Sequence, residues 1–425
     1  MNRKFVIKTL GCKTNAIEEQ IIVEQMQKNG WSKVENCSDA DIFILNSCSV
    51  TSHSDSQSAY LLNKAKRENS GIINILTGCC AQTVDLHKNF NTKNTDLILG
   101  NNEKLDIYYH IQKYFDGLEK KCVGDIFKVD NFNCKIVENP YQTRVSIKIQ
   151  EGCNNRCSYC IIPFARGNSR SNSVENILNQ IDLLVKSGTK EIVLTGIHIG
   201  QWGLEKNLKL LDLLFEIEKT EISRYRLGSL YINEIDNEMI DFLKKSKKFC
   251  AHFHLSLQSL CDKTLKNMNR NYCANEAIEL VNKLYSAFDE PFLGCDIIAG
   301  FPDENEKDFK ITYKNLNALA ISYIHAFPYS KREGTAAAVM KNQVQDGVKT
   351  KRVKLLNELC KKKHAEFLNR NKNKKCEILF ERKSEKTGAY SAITRNYIKV
   401  FVKDERDDLR NTLKIVDLSQ FDKLY

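Results

Sequence analysis

The amino-acid sequence predicts an α/β protein with parallel sheets over most of its length and a small β-barrel at its end. Short apolar, β-prone runs alternate with helical patterns from residue 5 to residue 330, and this alternation is typical of parallel sheets. A long basic helical pattern follows from Gln343 to about Asn371, and only short β-prone runs come after it. We expect three domains, at residues 1–120, 139–370 and 371–425.

The composition is that of a folded protein. The chain has 425 residues, of which 42% are hydrophobic and 28% charged, and a domain commonly holds about 100 to 200 residues. No uninterrupted apolar run reaches the roughly eighteen residues that span a bilayer, and Gly11 and Cys12 come before any apolar signal segment. We therefore expect a cytoplasmic protein that is neither secreted nor bound to a membrane.

The net charge of +11 is unevenly distributed. Basic residues outnumber acidic ones by eleven between residues 349 and 399, so the remainder of the chain is balanced. Two interpretations stay open for this segment. It is either a solvated basic helix face or a surface that binds a polyanion such as RNA.

Three cysteines follow three predicted strands in the first part of the chain. The strands cover residues 5–9, 41–45 and 72–76, and helical patterns at 17–28 and 59–68 lie between them. Parallel strands joined by helices end at one edge of their sheet, where α/β proteins commonly bind ligands. The cysteines are then expected to converge there, although any one of them alone could be an ordinary buried thiol. They are Cys12, Cys48 and Cys79.

A second group of three cysteines lies on one short loop after the strand at residues 145–150. Cys153, Cys157 and Cys160 have the spacing C-x3-C-x2-C. Structural zinc and ordinary clusters normally take four protein ligands, so three thiolates leave one metal position open. In a four-iron cluster, the open iron could bind the methionine end of S-adenosylmethionine. A zinc knuckle with a distant fourth ligand remains the alternative.

The central region is predicted to contain six strand–helix units, with functional residues on the loops after the strands. The predicted strands cover residues 145–149, 191–195, 224–227, 253–257, 292–298 and 324–327. Three further strands, at residues 375–380, 389–394 and 397–402, are predicted near the end of the chain.

These motifs resemble those of the radical S-adenosylmethionine methylthiotransferases over nearly the whole chain. The C-x3-C-x2-C loop is the superfamily signature, and the other three cysteines lie in motifs of the methylthiotransferase branch. Those motifs are Leu10-Gly-Cys12-Lys-Thr-Asn15, Leu45-Asn-Ser-Cys48-Ser-Val-Thr51 and Leu76-Thr-Gly-Cys79-Cys-Ala-Gln82.

The resemblance implies two [4Fe-4S] clusters and S-adenosylmethionine as cofactors. Cys153, Cys157 and Cys160 would hold one cluster, and Cys12, Cys48 and Cys79 an auxiliary one. Cys79 is preferred to Cys80 because it directly follows Gly78. A partial (β/α)6 barrel would form the core. The residues expected to contact S-adenosylmethionine are Gly196, Ser229, Gln258 and Arg270.

The end of the chain resembles a TRAM domain, an RNA-binding β-barrel, through the stretch Arg395-Asn-Tyr397-Ile-Lys-Val400. Aromatic rings and cations interleaved in this way suit the stacking of bases and the binding of phosphates. A plain alternating strand is the alternative. The residues expected to bind RNA are Lys372, Lys374, Lys375, Arg395, Tyr397 and Lys399.

The function implied is addition of a methylthio group to C2 of N6-threonylcarbamoyladenosine, next to the anticodon of tRNA. The expected partners are the tRNA anticodon loop and an electron donor of the flavodoxin or ferredoxin type. No catalytic side chain is expected beyond the cluster ligands, and His198 and His254 are interpreted as structural. Two alternatives remain: an enzyme specific for isopentenyladenosine, and a zinc-stabilised RNA-binding protein without catalysis.

Overall fold

A computed structural model describes residues 3–86, 90–134, 142–406 and 408–425. Within these ranges the protein has a mixed α/β fold, with parallel strands in its first two parts and antiparallel strands in the last. This arrangement confirms the predicted α/β class. None of the helices described combines the length and the apolar character that crossing a bilayer requires.

The first part contains a six-stranded parallel sheet. Its strand order is β2-β1-β3-β4-β5-β6. Strand β3 is buried along its whole length, as expected of a parallel strand that helices cover on both faces. The strands are β1 Lys4–Thr9, β2 Ser32–Lys33, β3 Ile42–Ser47, β4 Ile73–Gly78, β5 Leu97–Leu99 and β6 Lys121–Cys122. The helices are α1 Lys13–Lys28, α2 Ser52–Glu68, α3 Cys79–Gln82 and α4 Ile107–Phe115.

The second part follows the predicted succession of parallel strands and helices. Strands β7, β10 and β11 form one sheet and β12 to β15 another, and a parallel bridge from Tyr225 to Phe249 connects them. The short strands β8 and β9 pair separately. The strands are β7 Arg144–Lys148, β8 Gln150–Glu151, β9 Arg170–Ser171, β10 Glu191–Thr195, β11 Arg224–Leu227, β12 Ser229–Leu230, β13 His252–Gln258, β14 Phe292–Ala299 and β15 Tyr323–Pro328.

Helices of the second part cover one face of these strands. Alternate strand residues such as Ile147, Leu194 and Leu255 pack against the helices in one large apolar core. The opposite face carries polar residues, and we call it the inner face. The helices are α5 Ile162–Arg166, α6 Val174–Lys186, α7 Leu210–Glu218, α8 Asn237–Lys245, α9 Asp262–Asn267, α10 Ala274–Ala287, α11 Glu306–Ala318 and α12 Asp346–Asn371.

The last part is a four-stranded antiparallel sheet in the order β18-β17-β16-β19. Three of its strands match the predicted ones, whereas β19 was not predicted from the sequence. Phe380, Tyr390 and Val400 form its core with Phe367 of α12, so the helix leads directly into this domain. The strands are β16 Lys375–Lys383, β17 Ala389–Thr394, β18 Lys399–Lys403 and β19 Leu413–Asp417.

The turn between β17 and β18 lies against the inner face of the central strands. Arg224 donates a hydrogen bond to the carbonyl of Ile393 at 3.0 Å, and Arg226 donates to the carbonyls of Thr394 and Arg395, both at 2.6 Å. Arg224 and Arg226 share the buried carboxylate of Glu191. Charged groups of the central strands therefore hold the last domain in place.

Candidate functional site

The first three predicted cysteines converge at the carboxyl edge of the first sheet. Strand β3 lies between β1 and β4. At the carboxyl ends of these strands, Thr9 of β1 pairs with Asn46 of β3, and Ser47 of β3 pairs with Gly78 of β4. The three thiols come within electrostatic range because each follows the end of one of these strands. Burial, together with the charges of Cys79 and Cys12, raises the pKa of Cys48 to about 11.

Two glycines make this convergence possible. A Cβ atom at Gly11 would lie 2.7 Å from Cys48 Sγ, and one at Gly78 would lie 2.5 Å from the carbonyl oxygen of Ser47. Gly78 also has φ +92°, which favours glycine. Cys79, which directly follows Gly78, belongs to the group of three thiols. The thiol of Cys80 instead hydrogen-bonds to Asp55. Cys79 thus interacts with Cys48, whereas the thiol of Cys80 is engaged by a carboxylate.

Arg166 connects the first sheet to the central strands. It follows the second cysteine loop on α5, and its Nε lies 3.2 Å from Cys79 Sγ. Its guanidinium also bonds Glu18 of α1 at 2.6 Å and Glu151 of β8 at 3.1 Å. Asn101 donates to the same sulfur at 3.8 Å. Sequence analysis missed Arg166, since no local pattern connects it to residues so far away in the chain.

Lys104 and Lys148 complete a buried charge network with Arg166. Lys104 bonds Glu18 at 2.5 Å and Lys148 bonds Glu18 at 2.8 Å, and all of these side chains are almost fully buried. Burial raises the pKa of Glu18, but Arg166 and the two lysines outweigh it and hold the pKa well below its ordinary value. The network has three cations and two carboxylates, so a positive charge remains beside Cys79.

The second group of cysteines lies at the carboxyl end of β8. Cys153 Sγ is 3.2 Å from His198 Nδ1, and Arg270 donates to Cys157 Sγ at 3.4 Å. Burial, followed by the charges of Cys157 and Cys153, raises the pKa of Cys160 to about 12. Each group therefore has basic side chains that would compensate thiolate charge. His198 was interpreted as structural in the sequence, but its contact with Cys153 gives it a place in the site.

The residues expected to contact S-adenosylmethionine lie in or after the central strands, and Arg270 contacts the second group of cysteines. A Cβ atom at Gly196 would come 2.7 Å from the carbonyl oxygen of Gln150, so only glycine fits there. Ser229 is exposed in β12. Gln258 ends β13 with φ +59°, where the β13–β14 register shifts. Arg270 packs 3.9 Å from the ring centre of Tyr231.

Two family models match the chain. The Radical SAM superfamily covers residues 147–316, and a family described as Uncharacterized protein family UPF0004 covers residues 4–100. A threonylcarbamoyladenosine tRNA methylthiotransferase MtaB from Aquifex aeolicus is 37% identical over 402 residues, which make up 93% of this chain and 96% of that protein. The chain belongs to the radical SAM methylthiotransferase family.

Other relatives include both tRNA branches. The MtaB of Bacillus subtilis is 34% identical, with 96% of this chain and 92% of that protein covered. A tRNA-2-methylthio-N(6)-dimethylallyladenosine synthase of Clostridium botulinum is 32% identical, with 86% and 84% covered. A radical S-adenosylmethionine methyltransferase, TsrM, from Kitasatospora setae has a similar fold at 11% identity, with TM-score 0.59, 80% of this chain and 74% of that chain covered.

The spacing of the thiols in this methylthiotransferase suits a cluster better than a single ion. Four sulfurs around one zinc lie roughly 4 Å apart. Within the described ranges, the group of ligand atoms that all lie within 4.8 Å of one another is His110, Glu119 and Cys122, and neither group of three cysteines meets that distance. Thiols spaced more widely, four of the six buried and with Arg166 or Arg270 beside them, fit an anionic cluster.

The residues predicted to bind RNA in the methylthiotransferase fall into two sets. Lys372, Lys375 and Lys399 are exposed, and Lys374 bonds Asp289 at 2.5 Å. Arg395 and Tyr397 instead face the rest of the chain. Arg395 bonds Glu377 at 2.9 Å and the carbonyl of Lys247 at 2.8 Å, and the ring of Tyr397 lies between the guanidinium groups of Arg144 and Arg226.

We expect Arg166→Met to lower the free energy of unfolding by about 3–5 kcal/mol, because Glu18 and Glu151 would remain buried with less compensation. Urea denaturation followed by tryptophan fluorescence measures it, since Trp31 reports on the first sheet and Trp202 on the central core. Lys186→Met, which removes a largely exposed ion pair with Asp182, should change little. An equal effect of the two substitutions would contradict the structural role of the network.

Proposed function

We propose that this chain adds a methylthio group to C2 of N6-threonylcarbamoyladenosine beside the anticodon of tRNA. The observation that carries the proposal is the pair of cysteine groups, which Arg166 holds together from its position on α5. The substrate is inferred from the relatives: those named for threonylcarbamoyladenosine are similar over more of their length than those named for dimethylallyladenosine. We infer a cytoplasmic location from the proposed tRNA substrate.

We assign each cluster to one group of cysteines. Cys153, Cys157 and Cys160 would hold the cluster that binds S-adenosylmethionine, with Gly196, Ser229, Gln258 and Arg270 beside it. Cys12, Cys48 and Cys79 would hold the auxiliary cluster. When bound, these groups supply reductive cleavage of S-adenosylmethionine and delivery of sulfur.

The chain's own residues shape this site in three ways. Arg270 and Arg166 offset negative charge at Cys157 and Cys79, respectively. His198 orients Cys153 through its Nδ1. Burial of Cys48, Cys79, Cys153 and Cys157 keeps water away from four of the six ligands, which protects reactive species from side reactions. A flavodoxin or ferredoxin would supply the electrons.

We also propose how the central strands and the last domain receive the tRNA. We infer that the six central strands curve into a partial barrel whose inner face receives the anticodon loop. An unstacked base is needed at such a site, and a loop provides one at lower cost than a duplex. The antiparallel domain is inferred to be TRAM-like and to hold RNA through its exposed lysines.

Mass spectrometry of tRNA nucleosides tests the substrate. Cells that lack this chain should lose the methylthio form of threonylcarbamoyladenosine and keep that of dimethylallyladenosine. Supplying the chain on a plasmid should restore the missing nucleoside, and supplying the Cys157→Ala variant should not. Loss of the dimethylallyl product instead would assign the chain to the other branch.

Cysteine variants test the two clusters. Cys157→Ala should lose about half of the iron and all formation of 5′-deoxyadenosine, whereas Cys79→Ala should lose similar iron and still cleave S-adenosylmethionine. Cys80→Ala is the matched control, because Cys80 adjoins Cys79 but bonds Asp55. Full iron in Cys79→Ala, or loss of iron in Cys80→Ala, would refute the auxiliary site.

Salt titration tests the RNA-binding lysines. Changing Lys372, Lys375 and Lys399 to Ala should flatten the slope of log affinity against log salt by roughly one unit per lost phosphate contact. Lys374→Ala is the control and should have a smaller effect, because Lys374 already pairs with Asp289. Curves that coincide for wild type and triple variant would show these lysines to be a solvated face.

A further inference from the structure

A cavity of about 140 Å³ lies between the first sheet and the inner face of the central strands. Helix α1 contributes Lys13, Ala16 and Ile17 to its wall, and Ser146 of β7 and Tyr397 contribute to the opposite side. This volume is several times what a single water molecule needs. A wider cavity of about 590 Å³ adjoins it and shares Ala16 and Arg144 with it. The space is therefore open to a group larger than water.

Lys13 brings an unmatched positive charge to this cavity. Arg144 bonds Glu381 at 2.8 Å, and Arg226 bonds Glu191 at 2.7 Å, so the two arginines nearby have carboxylate partners. Within the described part of the chain, Lys13 has neither a hydrogen bond nor an ion pair of its own. The charges around it are those of Arg144 and Arg226, which are positive, and of Glu191, which is negative. A cavity lined by a cation that has no partner of its own favours an anionic ligand.

The position of Lys13 connects the cavity to the chemistry of the site. Lys13 follows Cys12, the proposed auxiliary-cluster ligand, and consecutive Cα atoms are about 3.8 Å apart. Lys13 is thus the cavity-lining residue that lies next in the chain to a proposed cluster ligand. The threonylcarbamoyl group on N6 carries a carboxylate, whereas the dimethylallyl group carries no charge.

We propose that this cavity binds the carboxylate of the N6 substituent and that Lys13 is the residue that pairs with it. This inference rests on the proposed function and adds the feature that selects the substrate. A carboxylate would match the surplus charge of the cavity. An uncharged substituent would form no ion pair with Lys13, and the loss of that ion pair discriminates against the wrong nucleoside.

Binding of synthetic anticodon stem-loops tests this inference without turnover. The RNAs carry threonylcarbamoyladenosine, its threonyl methyl ester or dimethylallyladenosine, and fluorescence anisotropy gives each affinity for the cluster-loaded protein. Wild type should prefer the free acid over the ester by about tenfold or more, since a hydrogen bond to a charged group is lost in the ester. Lys13→Met should abolish this preference, and Lys13→Arg should keep part of it.

The controls separate failure of the inference from failure of the proposed function. Lys28→Met changes an exposed lysine at the other end of α1 and should bind like wild type. Equal affinity of wild type for acid and ester would overturn the inference even if the protein misfolds when Lys13 is changed. Methylthiolation of threonylcarbamoyladenosine would then still support the function, whereas methylthiolation of dimethylallyladenosine alone would refute the function itself.

Discussion

The buried network around Arg166 is the interaction on which the rest of the structure depends. Its five charged side chains come from α1, the segment before α4, β7, β8 and α5, so it joins the first sheet to the central strands. Removing any one member would leave charge buried without compensation, which is far more costly than losing an exposed ion pair. Because Arg166 also contacts Cys79, the same bonds that join the two domains fix the auxiliary site relative to the second cysteine loop.

The attachment of the last domain follows the same principle. Its β17–β18 turn presents backbone carbonyls to Arg224 and Arg226, and these arginines are buried only because Glu191 and those carbonyls satisfy them. Tyr397 has φ +70°, an unfavourable conformation for a residue with a side chain. Its ring contacts with Arg144 and Arg226 hold it there and close one side of the cavity beside Lys13. The last domain thus helps to form the cavity that Lys13 lines.

Local patterns were sufficient to predict most strands and both cysteine groups. Strand ends in a parallel sheet meet at one edge, so cysteines placed just after three strands had to converge. Long-range partners leave no such signal: Arg166 and Glu18 are 148 residues apart in the chain. The alternation around Arg395 and Tyr397 predicted a strand, whereas both residues lie in the β17–β18 turn, and the pattern could not indicate which surface they face. Strand β19 was missed because its charged residues, Lys414 and Asp417, interrupt a short apolar run.

Cations without a carboxylate partner lie at three positions where an anion can bind. Arg166 belongs to a network with one more cation than carboxylates, and its surplus faces Cys79. Arg270 pairs with no carboxylate among the described residues, and it faces Cys157. Lys13 faces the cavity. Since uncompensated charge in a buried position is costly, the surplus charges of Arg166 and Arg270 persist where the thiolates of Cys79 and Cys157 complete them. Lys13 is more exposed and has no anionic side chain bonded to it among the described residues, so its counter-ion is expected to come from the substrate.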